Sequence, residues 1–341
     1  MRRSALTLAA LFLVAPAAAQ DAASTAIPPI TVDAINTTDL TSIPAQYPAA
    51  PTADEAGEPA LERHPDPAVV RLQILLDRAG ASPGVIDGFD GDNVRKAVIA
   101  FELMQGLPAD GVLDADVLAA LETGGPVIGQ YEIMSTDLEA IGPATPSDYA
   151  EMATRDFLGY TSIEEELGER FHMDTDLLAA LNPGAAYAAG DHVYVAAYGP
   201  DRTGEVARIE ADKSLRQVRA YSAAGLLIAA YPATIGSEDN PSPSGTHMVK
   251  GVAPMPEYTY NPKINFQQGD NTSVLTIPPG PNGPVGSMWI DLSEPTFGIH
   301  GTPEPSKIDK TGSHGCVRLT NRDANELAKM VKPGVPVDFV G

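Results

Sequence analysis

One cysteine, Cys316, stands in a chain of 341 residues, inside the run Ser313-His314-Gly315-Cys316-Val317-Arg318. A second histidine, His300, lies sixteen positions upstream, across a loop that carries Pro303 and Pro305. A thiol attacks a carbonyl as its thiolate, and a neighbouring imidazole is the usual means of deprotonating it near neutral pH. Gly315 permits a tight turn and close approach of a substrate backbone. Backbone N–H groups in such a turn can face an oxyanion, a contact typically worth about 3 kcal/mol of barrier. Spacing alone leaves three readings open for the thiol: a small buried hydrophobe, an intermolecular link or a nucleophile.

Composition narrows the setting of that chemistry. The formal charge is −23, from 22 basic and 45 acidic residues, a balance that repels nucleic acid and anionic membrane surfaces. With a single cysteine no intramolecular disulfide can form. Residues 1–19 read as a signal peptide: Arg2 and Arg3 start it, 5–14 form a short apolar run, and Ala17-Ala18-Ala19 offers a cleavage site. That run is too short to span a bilayer, so the mature chain is expected to have no membrane span and to reside in the periplasm or cell envelope.

The elements that must hold the thiol and imidazole fall into segments. Residues 20–64, rich in Ala, Pro, Thr and Asp, read as a flexible linker. In 65–123, Val69, Val70, Leu72, Ile74, Leu75 and Leu76 suit one amphipathic helix, and Val94, Ala97, Val98 and Phe101 a second. Leu113, Val117, Leu118 and Leu121 suit a third. Asp87, Asp90 and Asp92 lack the closing Glu of a calcium loop and read as a capped turn. Residues 126–198 read as an α+β unit with helices over 163–171 and 177–181 and a strand over 193–195. In it the Glu164-Glu165-Glu166 run reads as a solvated face and His172 as packed or exposed, not a ligand. Residues 204–341 read as mainly β, with strands near 206–209, 217–221 and 226–231 and a helix over 321–331. Trp289 is expected in the core of that unit.

Three resemblances follow. Leu72-Gln73-Ile74-Leu75-Leu76, Val85-Ile86-Asp87-Gly88, Ala97-Val98 and Gly106-Leu107-Pro108 before Asp110-Gly111-Val112-Leu113 resemble the small three-helix peptidoglycan-binding domain, departing at Phe101-Glu102, where the family usually has Gln. Leu181-Asn182-Pro183 with Ala189-Gly190-Asp191 resembles a LysM-type module. Gly298-Ile299-His300-Gly301-Thr302, Pro241-Ser242-Pro243-Ser244-Gly245-Thr246, Trp289-Ile290-Asp291-Leu292 and above all Ser313-His314-Gly315-Cys316 resemble the L,D-transpeptidase catalytic domain, or YkuD domain.

That resemblance implies a multidomain exported enzyme acting on peptidoglycan peptide stems and glycan. Cys316 would form a thioester at the L-centre of a stem diamino acid, releasing D-Ala, with His300 as base and then acid. The Gly301 carbonyl would orient the His300 ring, His314 would line the site and support its charge balance, and the N–H groups of Gly315 and Cys316 would hold the oxyanion. Ser313 belongs to the signature, and Arg318 stands where some members carry Asn; carboxylate recognition and a structural ion pair are its two readings. The acceptor would be a second stem, an anchored envelope protein or, in an L,D-carboxypeptidase, water. A non-catalytic cell-wall scaffold is the reading from another class. No metal and no organic cofactor are implied. An ordinary imidazole, titrating near 6.5, predicts activity that varies between pH 5 and 9.

Overall fold

In a computed structural model the described residues are 30–44, 64–121, 124–237 and 239–341. The segment read as a signal peptide and much of the linker lie outside them. Inside the linker, however, helix α1 (Val32–Thr37) and a 3₁₀ turn (Leu40–Ser42) are built against the rest of the chain. Ile35, Leu40 and Ile43 are buried, and Asn36 Oδ1 accepts from the N–H groups of Val127 and Ile128 at 2.8 and 2.9 Å. The reading of 20–64 as one flexible stretch is therefore corrected. Three docked apolar side chains, each worth roughly 1.5–3 kcal/mol when buried, order a segment too short to show a period.

Helices α2 (Pro67–Arg78), α3 (Asp92–Gln105) and α4 (Ala115–Leu121) follow. Asp66 caps α2 by accepting from the Ala68 N–H, with Pro67 at the first position, where its missing N–H costs nothing. Glu102, the departure noted in the sequence, is fully buried, and its Oε2 accepts the Gly111 N–H at 2.8 Å.

The next unit runs β1 (Ile128–Glu132), α5 (Ser135–Glu139), α6 (Tyr149–Met152), α7 (Ile163–Arg170), α8 (Thr175–Leu181) and β2 (His192–Ala196). Strands β1 and β2 pair antiparallel, Ile128 opposite Ala196. The glutamate run is not wholly a solvated face: Glu166 is buried and pairs with Arg170 one turn later. His172 is buried too, in a left-handed backbone conformation (φ 57°). One apolar cluster runs through α1, α2–α4, this unit and Leu227 and Ala230 of the next. The two N-terminal units are thus not beads on a string, and deleting 65–198 would uncover the β5 edge of the following sheet.

That sheet contains β3 (Arg208–Asp212), β4 (Gln217–Tyr221), β5 (Leu227–Pro232), β6 (Thr234–Ile235), β7 (Gly245–Pro254), β10 (Met288–Leu292), β11 (Gly298–His300), β12 (Val317–Arg318) and β13 (Pro336–Val340). Their spatial order is β5-β4-β3-β13-β7-β10-β11-β12-β6. A separate hairpin, β8 (Tyr258–Tyr260) with β9 (Leu275–Ile277), forms a flap. Helix α9 (Asn321–Met330), capped by Thr320, covers β10 and β11 and buries Ala324, Leu327, Ala328 and Met330 in the core under them.

Candidate active site

Strands β11 and β12 run parallel, Ile299 opposite Val317 and His300 opposite Arg318. Because side chains alternate across a strand, Ile299 and Val317 point into the core and His300 and Arg318 to the other face. The residue before β12 is Cys316, so the same alternation puts its side chain on the His300 face. The Gly298 N–H faces the sulfur, and Sγ also lies 3.7 Å from the Thr296 carbonyl. The structure thus brings the thiol and imidazole of the sequence reading onto neighbouring strands.

His300 is buried, and its Nδ1 lies 2.7 Å from the Gly301 carbonyl. A carbonyl can only accept, so Nδ1 carries the proton and Nε2 is left as a base. Trp289, opposite His300 on β10, is half-buried and stacks on the ring with centroids 5.4 Å apart, not in the core as expected. Gly298 makes room for it: a Cβ there would lie 2.5 Å from the indole. Gly301 is also a packing requirement, since a Cβ would come within 2.0 Å of Asn321 Oδ1. That amide donates to Glu169 Oε2 of α7 at 2.7 Å and accepts from the Ser287 N–H at 2.9 Å. Burial raises the Glu169 carboxyl to about 8, so the N-terminal unit backs the site with a group that is largely protonated at neutral pH. Neither Asn321 nor Glu169 carries a sequence signal, because only chain folding brings them here.

The turn before Cys316 is stitched by Ser313, which is buried and donates to the Cys316 carbonyl at 2.6 Å. The Gly315 N–H, expected to face an oxyanion, instead donates to Ser313 Oγ at 3.3 Å. Gly315 has φ 107°, closed to side chains, and a Cβ would lie 2.7 Å from the Phe297 ring. His314 is exposed but stacks on Phe266 of the flap, centroids 3.7 Å apart. Burial, then Arg318, lower its pKa, so it adds no lasting positive charge to the site. Arg318 is half-buried and makes no structural ion pair among the described residues; its Nη1 lies 3.4 Å from the Gly312 carbonyl.

Electrostatics sharpen the pairing of thiol and imidazole. Burial lowers the His300 pKa to about 4, with the Gly301 carbonyl opposing it in part. Burial raises the Cys316 thiol, opposed by the Gly298 N–H. Near neutral pH both groups therefore rest uncharged.

Residues 207–338 match the family model of the L,D-transpeptidase catalytic domain. This segment belongs to the YkuD family. Residues 65–121 match the "Putative peptidoglycan binding domain". The chain is 46% identical over 66 residues, 19% of its length, to "Putative L,D-transpeptidase YkuD" of Bacillus licheniformis, covering 40% of that protein. It is 28% identical over 130 residues, 38% of its length, to "Putative L,D-transpeptidase in ATP synthase subunits region ORF 5" of Fuscovulum blasticum, covering 67% of it. The chain spans 35–40% of the length of the first two curated relatives it matches. A solved L,D-transpeptidase of Enterococcus faecium overlaps 40% of this chain and 50% of its own, at 23% identity and TM-score 0.30, and carries no weight here.

Proposed function

We propose that the protein is an L,D-transpeptidase of the cell envelope, exported by residues 1–19, whose YkuD domain uses Cys316 as nucleophile and His300 as base. The observation that carries this reading is the His300 ring, its Nδ1 held by the Gly301 carbonyl, on the strand face that bears the chain's one thiol. The Cys316 proton passes to Nε2 as a carbon–sulfur bond forms at the carbonyl of the stem diamino acid. The resulting oxyanion is met by the Cys316 N–H, and by Gly315 N–H once it gives up its long bond to Ser313. His300 returns the proton to the leaving amine as the C–N bond breaks, D-Ala departs, and a thioester remains. An acceptor amine then attacks the thioester, His300 takes that proton, and the thiol is restored. The match at 65–121 favours glycan contact by the helical N-terminal unit, and the unit after it, whose strands β1 and β2 flank four helices, is the segment read as LysM-like.

Incubating the full chain with a tetrapeptide stem is expected to add the mass of the acyl group, less D-Ala, at Cys316. Supplying an amine acceptor should give a cross-linked product by mass spectrometry; release of only trimmed stem would make the protein an L,D-carboxypeptidase. No adduct with any tetrapeptide stem would overturn the thioester mechanism.

The pH dependence follows from the lowered His300 value. Its base form is present above about 4, so kcat/KM should hold nearly level from about pH 5 to 8 and fall through an acid limb near 4. This replaces the expectation drawn from an ordinary histidine. An acid limb centred near 6.5 in the measured profile would mean that His300 is not buried as described.

A further inference from the structure

In a chain with 45 acidic residues, the guanidinium beside the nucleophile has no carboxylate partner among the described residues. The groups within its field are Cys316, His300, His314 and two phenols, Tyr149 and Tyr258. Tyr258 stands on β8 of the flap. Tyr149 stands on α6, within the N-terminal unit, more than 160 residues before the signature.

The segment that brings Tyr149 here is fastened to the flap at both ends. Asn271 Nδ2 donates to Asp148 Oδ2 at 3.0 Å, and the Tyr149 N–H to Gln268 Oε1 at 3.2 Å. Further on, the Leu158 N–H donates to the Pro279 carbonyl at 2.9 Å, and Asn282 donates to the carbonyls of Leu158 and Gly159. Gly280 is required at this seam, since a Cβ would fall 2.1 Å from the Leu158 oxygen. The Tyr149 ring meets Tyr258, Tyr260 and Phe266 edge-on at 6.0, 5.3 and 6.1 Å, and Phe266 in turn stacks on His314. Two phenol rings thus pack at the seam between α6 and the flap, in the field of a guanidinium that stands opposite His300 on β12 and has no carboxylate partner among the described residues.

The reaction tells what belongs against that wall. The expelled residue must present its nitrogen to His300 Nε2 to be protonated. Its own carboxyl carbon lies roughly 2.5 Å beyond that nitrogen. Arg318 is the cross-strand partner of His300, with neighbouring strands about 4.8 Å apart. A terminal carboxylate leaving with the amine therefore falls beside the guanidinium, whose planar fork suits it.

We propose that Arg318, with the hydroxyls of Tyr149 and Tyr258, forms the subsite for the terminal α-carboxylate of the residue expelled from the donor stem, so that the N-terminal unit supplies one wall of the catalytic cleft. The subsite rests on the acyl-transfer reading above. It selects stems that end in a free carboxylate and draws the leaving nitrogen toward His300.

The test compares two tetrapeptide stems, one with a free C-terminus and one C-terminally amidated, by the rate at which each acylates Cys316 in the full chain. The wild type should prefer the free acid by about 10- to 100-fold in kcat/KM, as expected for a charge-assisted hydrogen bond. Arg318→Gln should bring that ratio close to one, Arg318→Lys should restore part of it, and Tyr149→Phe should lower it by about 3- to 10-fold while keeping the ring that packs the flap. A general loss of fold or flap order would slow both stems alike and leave the ratio unmoved, so an unmoved ratio in Arg318→Gln overturns the subsite. Equal wild-type rates on both stems overturn the subsite alone, whereas no acylation by either stem overturns the reaction itself.

Discussion

Cys316→Ala should form no acyl adduct and turn over stems at least about 10⁴-fold more slowly than the wild type, with its fold intact. The chain has no second thiol to stand in, and the neighbouring hydroxyl of Ser313 is buried and committed to the Cys316 carbonyl. Stability should move by less than about 1 kcal/mol, because the half-buried sulfur makes only weak polar contacts, to the Gly298 N–H and the Thr296 carbonyl. The two outcomes together separate a chemical role from a packing role. Full turnover in this variant, with stems followed by mass spectrometry, would end the case for a cysteine mechanism.

His172→Ala should destabilise the protein by about 3 to 5 kcal/mol, read as a shift of the denaturant midpoint at constant slope. His172 lies where three parts of the chain meet. Its Nδ1 is 3.0 Å from Asp77 Oδ1 on α2, and its Nε2 is 3.1 Å from Thr320 Oγ1 and 3.7 Å from Asp323 Oδ2 at the start of α9. Arg322 approaches Asp77 at 3.9 Å, and the Glu169 carboxyl also feels the ring. Removing the imidazole leaves two buried carboxylates facing one another. Burial pushes the His172 pKa down, but Asp323 and Asp77 push it up further, and the net direction is upward. A group raised on folding contributes stability in full below its ordinary value, near 6.5, and loses it as pH climbs through the folded value. The gap between wild type and His172→Ala should therefore narrow in alkali. An unchanged midpoint at pH 6 would show that the cluster holds nothing together.

Apolar spacing and short strand-like runs made much of the chain legible: helices near their sites in 65–121 and strands near theirs after 204, while the Ser313-His314-Gly315-Cys316 run marked a thiol and an imidazole as candidates. These are local properties, carried by residues close in sequence, and so readable without a fold. Two local readings still missed. The segment at 30–44 is ordered by Ile35, Leu40 and Ile43 docking elsewhere, and Glu166 turns inward to Arg170 within a run that looks solvated.

What decides how the site works was not local. The sequence by itself determined that Cys316 and His300 were present with glycines beside them. Only the tertiary structure decided that His300 is buried with a pKa lowered to about 4, that Trp289 stacks on it, and that the N-terminal unit packs Tyr149 on the flap and holds Asn321 through Glu169. Desolvation and charge act through space within several ångströms, and contacts spanning more than a hundred residues leave no period or motif in the chain that makes them.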